Sequence, residues 1–279
     1  MKKNNIIFLL IIFIFTAYKI KFNINYKALL PIFNEINNNM INCPSGKFFM
    51  GSPDSELGRW YDENRHEVLI SKDFKISKFP VTQKQYEIVM GENPSYFRYE
   101  KNPVERVNYD DAKEFCKKLN YYFCDLLPDG YVFDLPSEAQ WEYACRANSS
   151  SSLHFSKNLT SDTFKCDILN EFGWYCENSL CSKPVGNKRP NEWGIYDMIG
   201  NVWEWCSDWY DEYPNQSVID PKGPVKGTCR VLRGGAWNSR AWCCRSARRF
   251  SFYPTINETG IGFNVGYNIG FRIAIVPKN

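Results

Sequence analysis

Histidine is nearly absent: His66 and His154 are the only two in 279 residues. A mononuclear centre built on several imidazoles has too few ligands here, and the two stand in separate loop-like stretches, which predicts surface positions for both. No C-x2-C pair occurs, and Cys176-x4-Cys181 lacks a matching second half, so the usual structural zinc arrangements are excluded. An excess of one charge is missing too. With 34 Lys and Arg against 31 Asp and Glu the net charge is +3, the basic residues are spread evenly, and no clustered face for nucleic acid results. Internal repeats are lacking, and beyond Asn148 helix signals all but stop. Nor does any apolar run reach the ~20 residues of a comfortable membrane span. The longest, Ile6–Ala17, follows a basic head at Lys2 and Lys3. It reads as an export signal over residues 1–22, cleaved or kept as a signal anchor, although Phe15 two positions before Ala17 makes a poor cleavage site. The expected localisation is therefore exported: periplasmic, cell-surface or membrane-anchored.

What is present describes one large domain. Hydrophobic residues make up 44% and aromatics 16%, which favours a stacked, loop-rich core over a helical bundle. A polar, Asn-rich stretch, residues 23–42, reads as a linker to a domain over 43–279. Eleven cysteines suit an exported protein and predict disulfides whose pairing the sequence does not give; the odd count leaves one unpaired. The segment Gly46–Ser52 reads as a strand entering a turn, and Val68–Ile70 with Phe74–Ile76 as a β pair. Thr82 caps a helix ended by Gly91. Asn108 caps a second with Ala112, Phe115, Cys116 and Leu119 at i, i+3, i+4 and i+7. Ser137 and Gln140 form a capping box for a third, with Trp141, Ala144 and Cys145 facing inward and Glu138 and Glu142 on a solvated face.

The densest stretch is Asn191–Tyr210, "NEWGIYDMIGNVWEWCSDWY". Six large aromatics surround Gly194, Gly200 and the carboxylates Glu192, Asp197, Glu204 and Asp208. It is too apolar for a solvated loop and too rich in Gly, Asn and Asp for a long helix. It reads as irregular backbone anchored by buried aromatics, Trp203 and Trp205 among them, whose carbonyls and carboxylates need donors or a metal.

In collinear order with "GKFFMGS", "FPVTQKQYEIVMG", "NPVERVNYDDAKEFC", "LPSEAQWEYACRA", "RVLRGGAW", "CRSARR" and "GFR", this block resembles the formylglycine-generating enzyme family, also called sulfatase-modifying factors, from about Cys43 to about Val276. The resemblance implies an α+β fold related to C-type lectins, a single domain with little regular secondary structure, stabilised by bound calcium. Positions matching the family's calcium ligands are Asp197, Gly200, Val202 and Glu204, two carboxylates and two carbonyls around a bend that Gly permits. A second calcium site would lie near Asn170–Trp174, where ligands cannot be matched.

Members that make formylglycine hold copper(I) on two cysteines five positions apart after the Gly-Gly turn. Counting forward from Gly234 and Gly235 puts Ser239 at the first position and Cys244 at the second; counting back from "RSARR" puts Ala241 at the second. Three functions stay open. One is an oxidase converting a sulfatase cysteine to formylglycine through Cys244 and Cys243. Another is a non-heme-iron enzyme like the related sulfoxide synthases, for which only His66 and His154 are on offer. The third is binding of a protein or peptide ligand, a sulfatase included. The segment Arg233–Pro254 resembles the variable region of retroelement-diversified proteins of this fold, which would display Arg240, Trp242, Phe250, Phe252 and Tyr253.

Overall fold

Residues 26–154, 156–161, 165–255 and 265–278 are described by a computed structural model. The chain forms two units. Of the first, Met1–Asn38, the described part is a helix, α1 (26–38), with Leu29, Ile32, Phe33 and Ile36 along one face. Most of the stretch read as a linker is thus helical, since an i, i+3, i+4, i+7 apolar pattern lies between its asparagines. The export run Ile6–Ala17 lies outside the described residues. Among those described, no helix is long and apolar enough to cross a membrane.

The second unit, Asn39–Asn279, is an α+β assembly of three small sheets and three helices. The first sheet runs β1 (Met40–Cys43), β4 (Phe74–Ser77), β11 (Ala274–Pro277), β5 (Tyr131–Asp134). A second runs β10 (Ile269–Gly270), β6 (Trp203–Trp209), β8 (Arg230–Arg233), β9 (Arg249–Phe252), and a third β2 (Gly46–Met50), β3 (His66–Ile70), β7 (Val218–Ile219). The expected β3–β4 pair does not form. β3 pairs with β2 and β7, while β4 pairs with β1 and β11, because Ser71–Asp73 carries the chain from one sheet to another.

Helices α2 (Gln83–Met90), α3 (Tyr109–Phe123) and α4 (Glu138–Arg146) each start at a reciprocal capping box, on Thr82, Asn108 and Ser137. Local side-chain bonds satisfy the first free N–H groups and so fix where each helix begins. Trp141, Ala144 and Cys145 are buried as expected, as are Cys116, Trp203 and Trp205.

Glu138 and Glu142 do not lie on a solvated face: both are buried. Glu142 Oε1 accepts from the Gly51 N–H (2.9 Å) and Arg146 Nε (2.8 Å), and Oε2 from Arg233. Glu138 is clasped by Arg249, Nε to Oε1 at 2.7 Å and Nη2 to Oε2 at 2.9 Å. Two more such pairs tie loops to the centre. Arg245 grips Glu63 (2.6 and 2.9 Å) and Arg272 grips Glu204 (2.6 and 2.8 Å). A buried charge persists only when paired and hydrogen-bonded, so these five arginines, all fully or nearly fully buried, act as internal crosslinks where regular structure is scarce.

The two histidines are also inside rather than at the surface. His66 opens β3 with Nδ1 2.9 Å from the Asn64 carbonyl and its ring against Tyr213. His154 packs on Phe172, and burial pushes its pKa down to about 4. All eleven cysteines are free thiols, so the expected disulfides are not formed in this structure.

Candidate functional site

The Gly234–Gly235 turn carries the chain from β8 into a short 3-10 turn at Ala241–Cys243. Gly235 has φ +77°, and a Cβ there would stand 2.7 Å from Cys244 Sγ. Close approach of thiol to backbone is what the glycine permits. Cys244 has no exposed surface, and burial pushes its thiol well above the ordinary value. Cys243 is partly exposed, and burial raises its thiol too, against the opposing charges of Arg248 and Arg245. Copper(I) is held by paired soft thiolates. Ser239, at the position of the other expected ligand, accepts the Ala236 N–H at 3.0 Å. At the two matched positions the chain thus offers one hydroxyl and one thiol. Among the described residues, no cluster of three or more His, Cys, Asp or Glu is arranged to hold a metal.

The calcium positions divide. Asp197, buried at φ +54°, accepts one bond on each oxygen, from the Gly186 N–H (2.7 Å) and Asn201 Nδ2 (3.3 Å). Burial pushes its acid up to about 6. With two of its roughly four lone-pair positions used, it keeps acceptor capacity that an oxygen-seeking cation fits. Glu204 takes three donors on two oxygens, two from Arg272 and one from Trp141 Nε1 at 2.7 Å. One acceptor position is left there. Gly200 and Val202 contribute through backbone only, Gly200 fixing the bend between them with its N–H on the Gly234 carbonyl at 2.8 Å.

The residues expected to display a ligand surface fall into two groups. Trp242 stacks on Trp60, centroids 5.4 Å apart and planes at 14°. Arg248 lies 4.8 Å from the Trp242 ring and 4.9 Å from that of Trp60. Gly58 allows this pairing, since a Cβ there would meet Trp242 Cβ at 2.7 Å. The loop bearing Trp60 is pinned by Arg245, which reaches the Gly58 carbonyl (2.6 Å), Glu56 and Glu63, and by Arg249 on the Asp62 carbonyl (3.2 Å). Arg240 is exposed beside this group.

The second group lies on β9, outermost in its sheet. Phe250 and Phe252 project from one side of the strand, Phe250 on Trp203 at 5.3 Å and Phe252 beside Tyr253. Phe250 and Tyr253 are exposed. Sequence reasoning missed Trp60 and Tyr61, although adjacent large aromatics in a polar loop are themselves a signal for a contact surface.

The profile of the sulfatase-modifying factor enzyme 1-like domain matches residues 30–269. The chain is 32% identical over 232 residues to the chaperone protein LppX of Paenibacillus barcinonensis, covering 70% of this chain and 78% of that protein. It is 36% identical over 173 residues to the formylglycine-generating enzyme of Streptomyces coelicolor, covering 58% of this chain and 51% of that enzyme. The chain thus matches about half the length of that enzyme. Among solved structures, Treponema denticola variable protein 1 superposes with a TM-score of 0.71 at 28% identity, over 84% of this chain and 94% of that one. PvdO from Pseudomonas aeruginosa does so with 0.70 at 28%, over 85% and 93%. With the profile covering most of the sequence and the α+β architecture shared, the chain belongs to the family of sulfatase-modifying factor enzyme 1-like domains.

Proposed function

We propose that this domain works outside the cytoplasm as a binding module for a protein or peptide ligand and does not oxidise cysteine. The observation carrying this reading is the pair of positions itself: Cys244 is fully buried against Gly235, with a serine at the partner position. The stack of exposed Trp60 on half-buried Trp242, the exposed Arg240, and the aromatic side of β9 supply the side chains that dominate interface energetics. An outermost strand can also receive an extended peptide by strand addition. Similarity to a protein named a chaperone and to one named a variable protein agrees with binding as the role.

The test presents the full chain, with copper(I) and oxygen, with a Cys-x-Pro-x-Arg peptide, following aldehyde by mass spectrometry and binding by calorimetry. Expected are no aldehyde and binding weakened by Trp242→Ala. Aldehyde that disappears in Cys244→Ser, with melting unchanged, would restore the oxidase.

A structural calcium ion belongs to the same reading, held by the Asp197 carboxylate, the Gly200 and Val202 carbonyls and the remaining acceptor position of Glu204. Binding to the native state alone adds about 2.7 kcal/mol at a hundredfold excess over Kd. EDTA should lower the melting temperature, and Asp197→Asn should remove most of that EDTA sensitivity. A melting curve indifferent to EDTA rules the ion out.

A further inference from the structure

A cavity of about 310 Å³ opens where the end of β6, the start of α4 and the loops around Tyr213 and Pro221 meet. None of the residues assigned above to the ligand surface lines it. Part of its wall is apolar, from Met50, Trp209, Tyr213, Pro214, Pro221 and Pro224, and the rest is polar or charged. At its base lies Asp208, only 4% exposed. Oδ2 of that carboxylate accepts the Glu138 N–H and the Ser207 hydroxyl, each at 2.9 Å. Oδ1 receives no donor from any described residue and is not among the buried unpartnered oxygens of the chain, so it keeps access to solvent on a residue that lines the cavity. An accessible oxygen on an otherwise buried carboxylate is free to accept from a ligand.

The charge balance says what kind of donor fits. Glu138, also on the wall, is cancelled by its bidentate Arg249 and takes a further bond from Tyr213 Oη at 3.0 Å. Asp208, Asp211 and Glu212 then face a single further lysine, Lys222, so carboxyl groups outnumber cations around the cavity. Ligand pockets commonly join apolar walls to a few placed polar groups. We infer that this cavity binds a small organic ammonium, its charged nitrogen on Asp208 Oδ1 and an apolar or aromatic body against Trp209, Tyr213 and the three prolines.

Phenethylamine and its anionic counterpart 3-phenylpropionate are the probes, titrated into the full chain by calorimetry. The amine should saturate and the carboxylate should not. Asp208→Asn keeps the acceptor for the Glu138 N–H but removes the charge, and should weaken the amine about tenfold or more, the scale of one charge-assisted hydrogen bond. Should that variant fold poorly, Glu212→Lys, at an exposed position, should weaken the amine several-fold while Trp242→Ala leaves it unchanged. Equal binding of amine and carboxylate, parental affinity in both charge variants, or no saturation by ~10 mM amine overturns the assignment.

Discussion

At the scale of single residues the molecule is governed by arginine–glutamate pairs that no local pattern announces. Glu204 and Arg272 stand 68 positions apart, Glu142 and Arg233 91, Glu138 and Arg249 111, and Glu63 and Arg245 182. In the sequence Glu138 and Glu142 occupy i and i+4 of an amphipathic helix, for which a solvated face is the ordinary outcome; the arginines that bury them come from β8 and β9. The energetics give a definite expectation. Removing one member of a buried pair strands the other and costs roughly 3–5 kcal/mol, whereas replacing both by apolar groups is often nearly neutral. Arg272→Met should therefore destabilise by that amount in denaturant melts, and Arg272→Met with Glu204→Met should recover much of the loss. A double variant no more stable than the single would mean that Arg272 acts through its bonds to the Ser77 and Tyr196 carbonyls (3.0 and 2.9 Å).

Among the elements, helices were legible and sheets were not. Thr82, Asn108 and Ser137 each lie three residues before the side chain that answers them, so the start of α2, α3 and α4 is written within four positions. Strand pairing has no such locality: β5 finds its partner in β11 at the far end of the chain, and β3 and β4, neighbours in sequence, enter different sheets. The aromatic block reads in the sequence as irregular backbone with buried aromatics, and its Trp203–Trp209 part is instead the regular strand β6. Trp205 is fully buried, its indole N–H donating to the Val107 carbonyl at 3.0 Å. Trp205→Ala should cost about 3–5 kcal/mol through lost transfer energy and the cavity left behind. Trp203, one face against the exposed Phe250, should cost less. Both variants melting within a degree or two of the parent would contradict the role of β6 as the central strand.

For the molecule as a whole, a core assembled from loops buries carboxylates that find too few donors, and this sets its response to pH. Glu105, fully buried, accepts the Tyr96 and Phe97 N–H groups (2.5 and 2.9 Å) on Oε1, while Oε2 is unpartnered; burial pushes its acid from 4.5 up to about 7. Asp208, far from it in sequence, is pushed by burial and by Glu138 from 3.8 up to about 7. The segments that enclose these two acids come from distant parts of the chain, which is why neither they nor the Asp208 cavity could be found from spacing. A folded-state pKa above the unfolded one means that the native protein holds more protons, so stability falls as pH rises. The contribution of Glu105 and Asp208 is complete below their unfolded values and lost as pH climbs through about 7. Glu63 and Glu138, whose acids their arginines hold below the ordinary 4.5, lose their contribution only on acidification past that range. His154, lowered to about 4, makes stability rise with pH between there and about 6.5, but the three raised acids Glu105, Asp208 and Asp197 oppose it, so between about pH 4.5 and 7.5 the falling trend should dominate. Glu105→Gln, which preserves the acceptor for both N–H groups, should flatten it, and adding Asp208→Asn should flatten it further. A parent whose melting temperature rises across that window, or a double variant with the parental slope, would show that both carboxyls are solvated in the folded state.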